Sequence, residues 1–244
     1  MPQVRLGLLV PATNCVAEPD MYKMVPEGVT VHSTRLQAFN AARRQAADVA
    51  DTIRIFEESG DDAVNVAPTL AQVKPAVIAF ADTSASFLNG TEYNDNLCKR
   101  IEAAAGIKAI TASTAVIEAI RELGLKKVCL ITPYHHYFTE KGKEFLEESG
   151  FEVPIFKSFG AGTHPMNVHP PEAIYEEVIN TFDKSCDGIF VSCTDFRAVD
   201  IIEKVEKHVG RPMISSNQAT MWLMLRLADV RQRITGFGEL LTHL

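Results

Sequence analysis

The chain of 244 residues has 24 Lys and Arg against 31 Asp and Glu, a formal charge of -7, so it offers no basic surface for nucleic acid. With 46% apolar and 23% charged residues it reads as a globular protein rather than a disordered one, long enough to bury a substantial core in one domain or two lobes. No apolar run approaches membrane-spanning length, and the run at 6–10, cut off by Pro11, is too short for a signal segment, which points to a cytoplasmic location.

Short apolar runs alternate with helical spacing from end to end, the pattern of a parallel-sheet α/β fold. In chain order, strands are predicted at 5–10, 29–35, 63–66, 76–80, 127–131, 153–156 and 188–191. Helices are predicted at 41–58, 93–105, 114–123, 138–149, 171–183, 198–208 and 218–229. Gly124 and Gly150 follow two of the helices, as left-handed C-caps do.

The chain also echoes itself. Val10-Pro11-Ala12-Thr13-Asn14 closes the first strand, and Thr132-Pro133-Tyr134-His135 closes its counterpart in the second half. Ala79-Phe80-Ala81-Asp82-Thr83-Ser84 is matched by Ile189-Phe190-Val191-Ser192-Cys193-Thr194. A third pair, 110–115 and 214–219, follows in the same order. Three matches in sequence predict two structural copies: an N-terminal lobe over 1–115, a C-terminal lobe over 116–215, and a C-terminal helix in 216–244 that returns to pack on the first lobe.

In open parallel sheets, ligands bind beyond the carboxyl ends of the strands. Asn14, Asp82, Tyr134 and Cys193 each fall just after a predicted strand. If the halves are copies, Asp82 and Cys193 face each other across a cleft, a carboxylate opposite a thiol. Thr83, Ser84 and Thr194 add hydroxyls, and Ser84 and Thr194 fall where helix N-terminal amides are available. Such a cradle suits a carboxylate, and better still the enediolate formed when its α-carbon loses a proton.

Plainer roles exist for each. Asp82 also has the position of a helix N-cap, Asn14 that of a turn residue, Tyr134 that of a core ring and Cys193 that of an inert buried thiol. The five cysteines are irregularly spaced and form no CxxC, so neither a disulfide framework nor a zinc site is expected. The pair His135 and His136 lacks a third ligand and reads as a solvated loop. His164 and His169 lie in a Pro-rich loop at 162–171 that is either a lid or a surface connection.

The chain resembles the aspartate/glutamate racemase superfamily, in particular its branch of maleate cis–trans isomerases and arylmalonate decarboxylases. The resemblance rests on the 10–14 motif with Glu18-Pro19, on 81–87, 111–118 and 132–134, on Ser192-Cys193-Thr194-Asp195-Phe196-Arg197, and on 215–220. It implies two pseudo-symmetric parallel-sheet lobes with helices on both faces, an active site between them, no metal, no organic cofactor and a homodimer or higher homo-oligomer. It also implies that Asn14, Thr83, Ser84, Tyr134, Thr194 and Asn217 bind substrate carboxylates and that Cys193 moves a proton. Trp222-Leu223-Met224-Leu225 would supply an apolar face between subunits.

One departure stands out: the racemases and maleate isomerases carry a cysteine at the position of Asp82, and the arylmalonate decarboxylases a glycine. A carboxylate is a poor nucleophile toward an alkene but a serviceable base, with Cys193 as matching acid. The expected activity is a cofactor-independent racemase or isomerase working at the carbon next to a carboxylate of a small acid. Decarboxylation of a malonate-type acid with Cys193 as sole proton donor is the second reading, and a non-catalytic carboxylate binder the third.

Overall fold

The computed structural model describes residues 3–37, 48–160 and 166–244. The first apolar run forms β1 (Val4–Pro11), in which Leu6, Leu8, Leu9 and Val10 are wholly buried. A strand with no polar face belongs inside a parallel sheet covered on both sides. Accordingly, β1 lies between β2 (Val29–Leu36) and β3 (Val77–Phe80), with β4 (Ala109–Thr111) beyond β3, all parallel. The second half repeats this order. β5 (Lys127–Thr132) lies between β6 (Glu152–Ser158) and β7 (Gly188–Val191), and β8 (Met213–Ser215) lies beyond β7. The predicted class, two parallel sheets with helices, is the one observed.

In each sheet the chain moves outward from the first strand to one neighbour, then returns to the other side. The reversal lies between β1 and β3, and again between β5 and β7. Such a switch point leaves a crevice at the carboxyl ends of the two strands. Asn14 and Asp82 stand beside the first crevice, Tyr134 and Cys193 beside the second.

The helices are α1 (Ala17–Met24), α2 (Val49–Ala71), α3 (Thr83–Phe87), α4 (Gly90–Ala105), α5 (Ala112–Glu122), α6 (His136–Glu148), α7 (Pro171–Thr181), α8 (Ile202–Val209) and α9 (Ser216–Leu227). Residues 63–66 are helix and not strand. Phe56, Ser59, Gly60, Ala63, Ala67 and Leu70 recur every three or four residues along one buried stripe, and that periodicity overrides a short β-branched run. Pro68 is carried near the end of α2. The 41–47 part of the helix predicted at 41–58 lies outside the described residues. The segment predicted to begin a helix at 198 opens with a single 3-10 turn, Val199–Ile201, before α8. The strands β4 and β8, at three residues each, and the short helices α1 and α3 are too brief for periodicity to register.

Polar strand ends start the helices that follow. Thr111 caps α5 by accepting from the Thr114 amide, and Ser215 caps α9 in a reciprocal box with Gln218. The third repeated motif is therefore a strand-to-helix cap. α9 packs on α5 and α1 and touches β3 of the first sheet, while α5 touches β8 of the second. This placement corrects one expectation. Trp222 and Leu223 are only 2% and 8% exposed within the single chain, so the 222–225 face is already covered and is not left for a second copy.

Where α1 meets α9, the buried Asp20 accepts from Asn217 Nδ2 at 2.8 Å and from Lys23 Nζ at 3.4 Å. Lys23 bonds more closely to Asp200, at 2.6 Å. Burial pushes the Asp20 carboxyl from its ordinary 3.8 up to about 6, against the opposing pull of Asn217 and Lys23. Between those values the folded protein holds a proton that the unfolded chain has released, so stability falls as pH rises. The shift corresponds to roughly 3 kcal/mol. In Asp20→Asn this part of the pH dependence should be absent. Urea unfolding across that window is expected to show a smaller loss of stability in the variant than in the parent, and equal slopes would contradict the account.

Candidate active site

Two chemically different turns meet at the crevices. Just beyond β3 stands Asp82, whose side chain caps α3 by accepting from the Ala85 amide at 3.2 Å. The same Oδ1 accepts from Ser84 Oγ, and Oδ2 accepts from Ser59 Oγ on α2, both at 3.2 Å. β7 runs through Ser192 into Cys193, which adopts φ 107°. That is a strained conformation for a residue with a side chain, of the kind that collects at functional sites. The Cys193 amide donates to Ser216 Oγ at 3.1 Å, and the Asp195 amide donates to Cys193 Sγ at 3.3 Å.

Both turns open on one cavity of about 30 Å³, room for about two waters. From the first sheet's end come Asn14, Asp82 and Ser84; from the second come Tyr134, Cys193, Thr194 and Asp195. Pro11, Phe56 and Met166 supply apolar wall, and Thr13 completes the lining. Asp82 is 4% exposed and Cys193 7%. Burial pushes the Cys193 thiol well above its ordinary range, with the negative charges of Asp195 and Asp82 adding to the effect and the Tyr134 hydroxyl opposing it. Burial likewise raises Tyr134. At neutral pH the site therefore presents a protonated thiol and a neutral phenol.

Six of the eight predicted residues line this cavity: Asn14, Asp82, Ser84, Tyr134, Cys193 and Thr194. Two do not. Thr83 points behind α3, where its hydroxyl donates to Ser216 Oγ at 3.0 Å, because helical geometry turns it away from Ser84. Asn217 lies a layer back and donates to Asp20 Oδ2 and to the Thr194 carbonyl, at 2.8 and 3.0 Å. Asn14 and Thr194 have bonds to each other as well: Asn14 Nδ2 donates to Thr194 Oγ1 at 3.0 Å, which donates on to the Ala81 carbonyl at 2.8 Å. Asn14 Oδ1 also accepts from the amides of Val16 and Ala17.

Three of the four histidines weighed as ligands make local contacts instead. His135 Nδ1 accepts from the Tyr137 amide at the start of α6, and His136 lies 3.3 Å from Glu140 and stacks on Phe156. His169 packs on Phe159 and Phe196, and His164 lies outside the described residues. Among the described residues, no three His, Cys, Asp or Glu gather as metal ligands, and no helix is long and apolar enough to cross a membrane.

Sequence reasoning overlooks four contributors. Ser59 and Ser216 sit on helices whose pattern gives no sign that their hydroxyls reach the site. Asp195 adjoins the Cys193 motif, and its carboxylate accepts from the Cys15 amide at 3.0 Å and from Asn167 Nδ2 at 3.1 Å. Thr13 lies beside Asn14, and its Oγ1 is buried with no hydrogen-bond partner. Adjacency to a recognised motif was the available signal for these last two.

The arylmalonate decarboxylase family model matches residues 6–241. Arylmalonate decarboxylase of Bordetella bronchiseptica is 28% identical over 236 residues, 95% of this chain and 91% of that protein. A maleate isomerase of Pseudomonas putida is 26% identical over 255 residues, 98% of this chain and 97% of that protein. The crystal structure of a cysteine-to-alanine variant of the maleate isomerase Iso of Pseudomonas putida S16 with maleate shares the fold, with a TM-score of 0.86 at 24% identity over 98% of both chains. A match that runs from the first strand to the last turn, over both halves of the site, makes this chain a member of the arylmalonate decarboxylase family.

Proposed function

We propose that the protein moves a proton at the carbon next to a carboxylate of a small acid, with Asp82 as base on one side and Cys193 as acid on the other. The observation that carries this reading is the single cavity walled by a carboxylate from one sheet and a thiol from the other. Asp82 takes the α-proton, the charge moves into the carboxylate as an enediolate, and the Cys193 thiol returns a proton to the opposite face. Exchange with water then restores the carboxylate and the thiol. The donors on Asp82 (Ser59, Ser84 and the Ala85 amide) fix its orientation. Thr13 Oγ1 and the Tyr134 hydroxyl are the donors offered to substrate oxygens, and Met166, unbranched and adaptable, is the wall residue that yields to admit the acid.

A protonated thiol suits proton donation and not covalent addition, which needs a thiolate. It also suits the second reading, decarboxylation of a malonate-type acid, because only the donor Cys193 is then required and the wall formed by Pro11, Phe56 and Met166 would face the substituent. The two activities separate in D2O. Racemisation by two opposed groups places deuterium at the α-carbon of the product first, and on recovered substrate only as the reverse reaction runs, whereas decarboxylation releases CO2 and leaves one deuterium in the product.

Incubation of a panel of 2-substituted acids and malonates in D2O is expected to show α-deuteration with the parent protein. A fall of about 100-fold or more is expected in Cys193→Ser, and in Asp82→Asn if racemisation is the reaction. No exchange and no CO2 from any acid would remove both catalytic readings. Ligand-induced thermal stabilisation that survives Cys193→Ser, with no chemical change in the acid, would instead mark a binder. Because burial holds Cys193 protonated beyond its ordinary range, the alkaline fall of kcat/KM should lie above the pH at which an exposed thiol ionises; a fall at the exposed-thiol pH would contradict that. Thr13→Val should raise KM roughly 10-fold or more while leaving the alkaline limb in place. An unchanged KM would show that its hydroxyl does not meet the substrate.

A further inference from the structure

Three separate segments converge on one side chain beside the cavity. Asp195 is 4% exposed and lines the cavity two residues beyond Cys193. Its Oδ1 accepts from the Cys15 amide, in the loop between β1 and α1, at 3.0 Å. Both of its carboxylate oxygens accept from Asn167 Nδ2, at 3.3 and 3.1 Å. Asn167 belongs to a 3-10 turn, Met166–Val168, which also brings Met166 to the wall. The Asp195 amide itself donates to Cys193 Sγ at 3.3 Å. One residue therefore joins the first lobe's loop, the second lobe's turn and the thiol.

A buried carboxylate within two residues of a thiol opposes formation of a thiolate through like-charge repulsion. The amide aimed at the sulfur does the reverse and stabilises negative charge once it forms. Together they make a donor that stays loaded at rest and is supported at the moment it gives up its proton. We propose that Asp195 is a positioning residue of this site: it clamps the loop at Cys15 and the turn at Asn167 across the cavity and sets Cys193 as a proton donor. The inference rests on the donor role given to Cys193 above, but its test uses no substrate.

The ionisable groups facing Cys193 are Asp195 on its own turn, Tyr134 after β5 and Asp82 after β3. Cys15, on the far side of Asp195, is raised by burial and by the Asp195 charge, against the opposing pull of Arg35 and Arg197. Titration of the intact protein by thiolate ultraviolet absorbance, with the Cys193→Ser protein subtracted to remove the other thiols, isolates Cys193. In Asp195→Asn, compared with its own Cys193→Ser blank, thiolate is expected to appear at least about one pH unit lower than in the parent. An unchanged or higher midpoint would overturn the proposal.

Asn167→Ala separates charge from shape, because it removes one strap and keeps the carboxylate. It should leave the thiol midpoint near that of the parent while lowering the thermal midpoint. A drop in the thiol midpoint as large as that of Asp195→Asn would show that a conformational change, and not the charge, is responsible, and would also overturn the proposal. Should Asp195→Asn fail to fold, amide hydrogen exchange on the parent protein decides: strong protection at Cys15 is expected from its bond to Asp195, and loop-like exchange there overturns the clamp. Failure of every acid in the deuteration assay, with these shifts intact, would refute the activity without touching the role of Asp195.

Discussion

The hydrogen-bonded chain from Asn14 through the Thr194 hydroxyl to the Ala81 carbonyl is the contact on which the site depends. It ties the loop after β1 and the turn after β3 to the turn after β7, so each sheet's switch point is registered against the other's. All the groups involved are buried, and a buried polar group that loses its partner is costly. The two lobes therefore have little freedom to slide past each other at this place. Ser216 adds a second crossing, accepting from Thr83 Oγ1 and from the Cys193 amide. Asn217 holds the Thr194 carbonyl from behind.

This framework explains how Cys193 can keep its unusual backbone. A non-glycine residue at positive φ costs about 1–3 kcal/mol and persists only where its surroundings leave no alternative. Here β7 fixes the chain before Cys193, Ser216 holds its amide, and Asp195 is held by contacts from two other segments. In this conformation the sulfur accepts from the Asp195 amide. Asp82 reaches the same cavity by a relaxed route, as an ordinary extended N-cap residue at φ -135°. The two proton carriers thus differ in backbone as well as chemistry, although each follows the third strand of its half by two residues.

Much of this was legible in the sequence because the informative residues sit at strand ends, where an apolar run stops abruptly at a polar group. Six of the eight candidate residues line the cavity for that reason. Thr83 and Asn217 do not, since helical rotation at the start of α3 and α9 decides which polar neighbour faces inward. Asp82 was legible both as cap and as cavity wall, and it is both. The strand predicted at 63–66 fails because a run of four or five residues says less than a buried stripe extending over the whole of α2. Ser59, Asp20 and Ser216 were silent because a polar residue in a helix ordinarily points to water, and only the assembled helices reveal that these do not.

The double duty of Asp82 has a consequence for how such a scaffold diversifies. A relative with cysteine or glycine at this position gives up the carboxylate oxygen that closes the first turn of α3, a loss that ranges from a few tenths of a kcal/mol for glycine to about 1 kcal/mol for a side chain that caps poorly. Exchanging the reactive group here therefore also loosens the backbone that presents it. Lineages that cross between these chemistries would be expected to carry a compensating change in the helix or its neighbours, which makes historical contingency at this turn a matter of local mechanics.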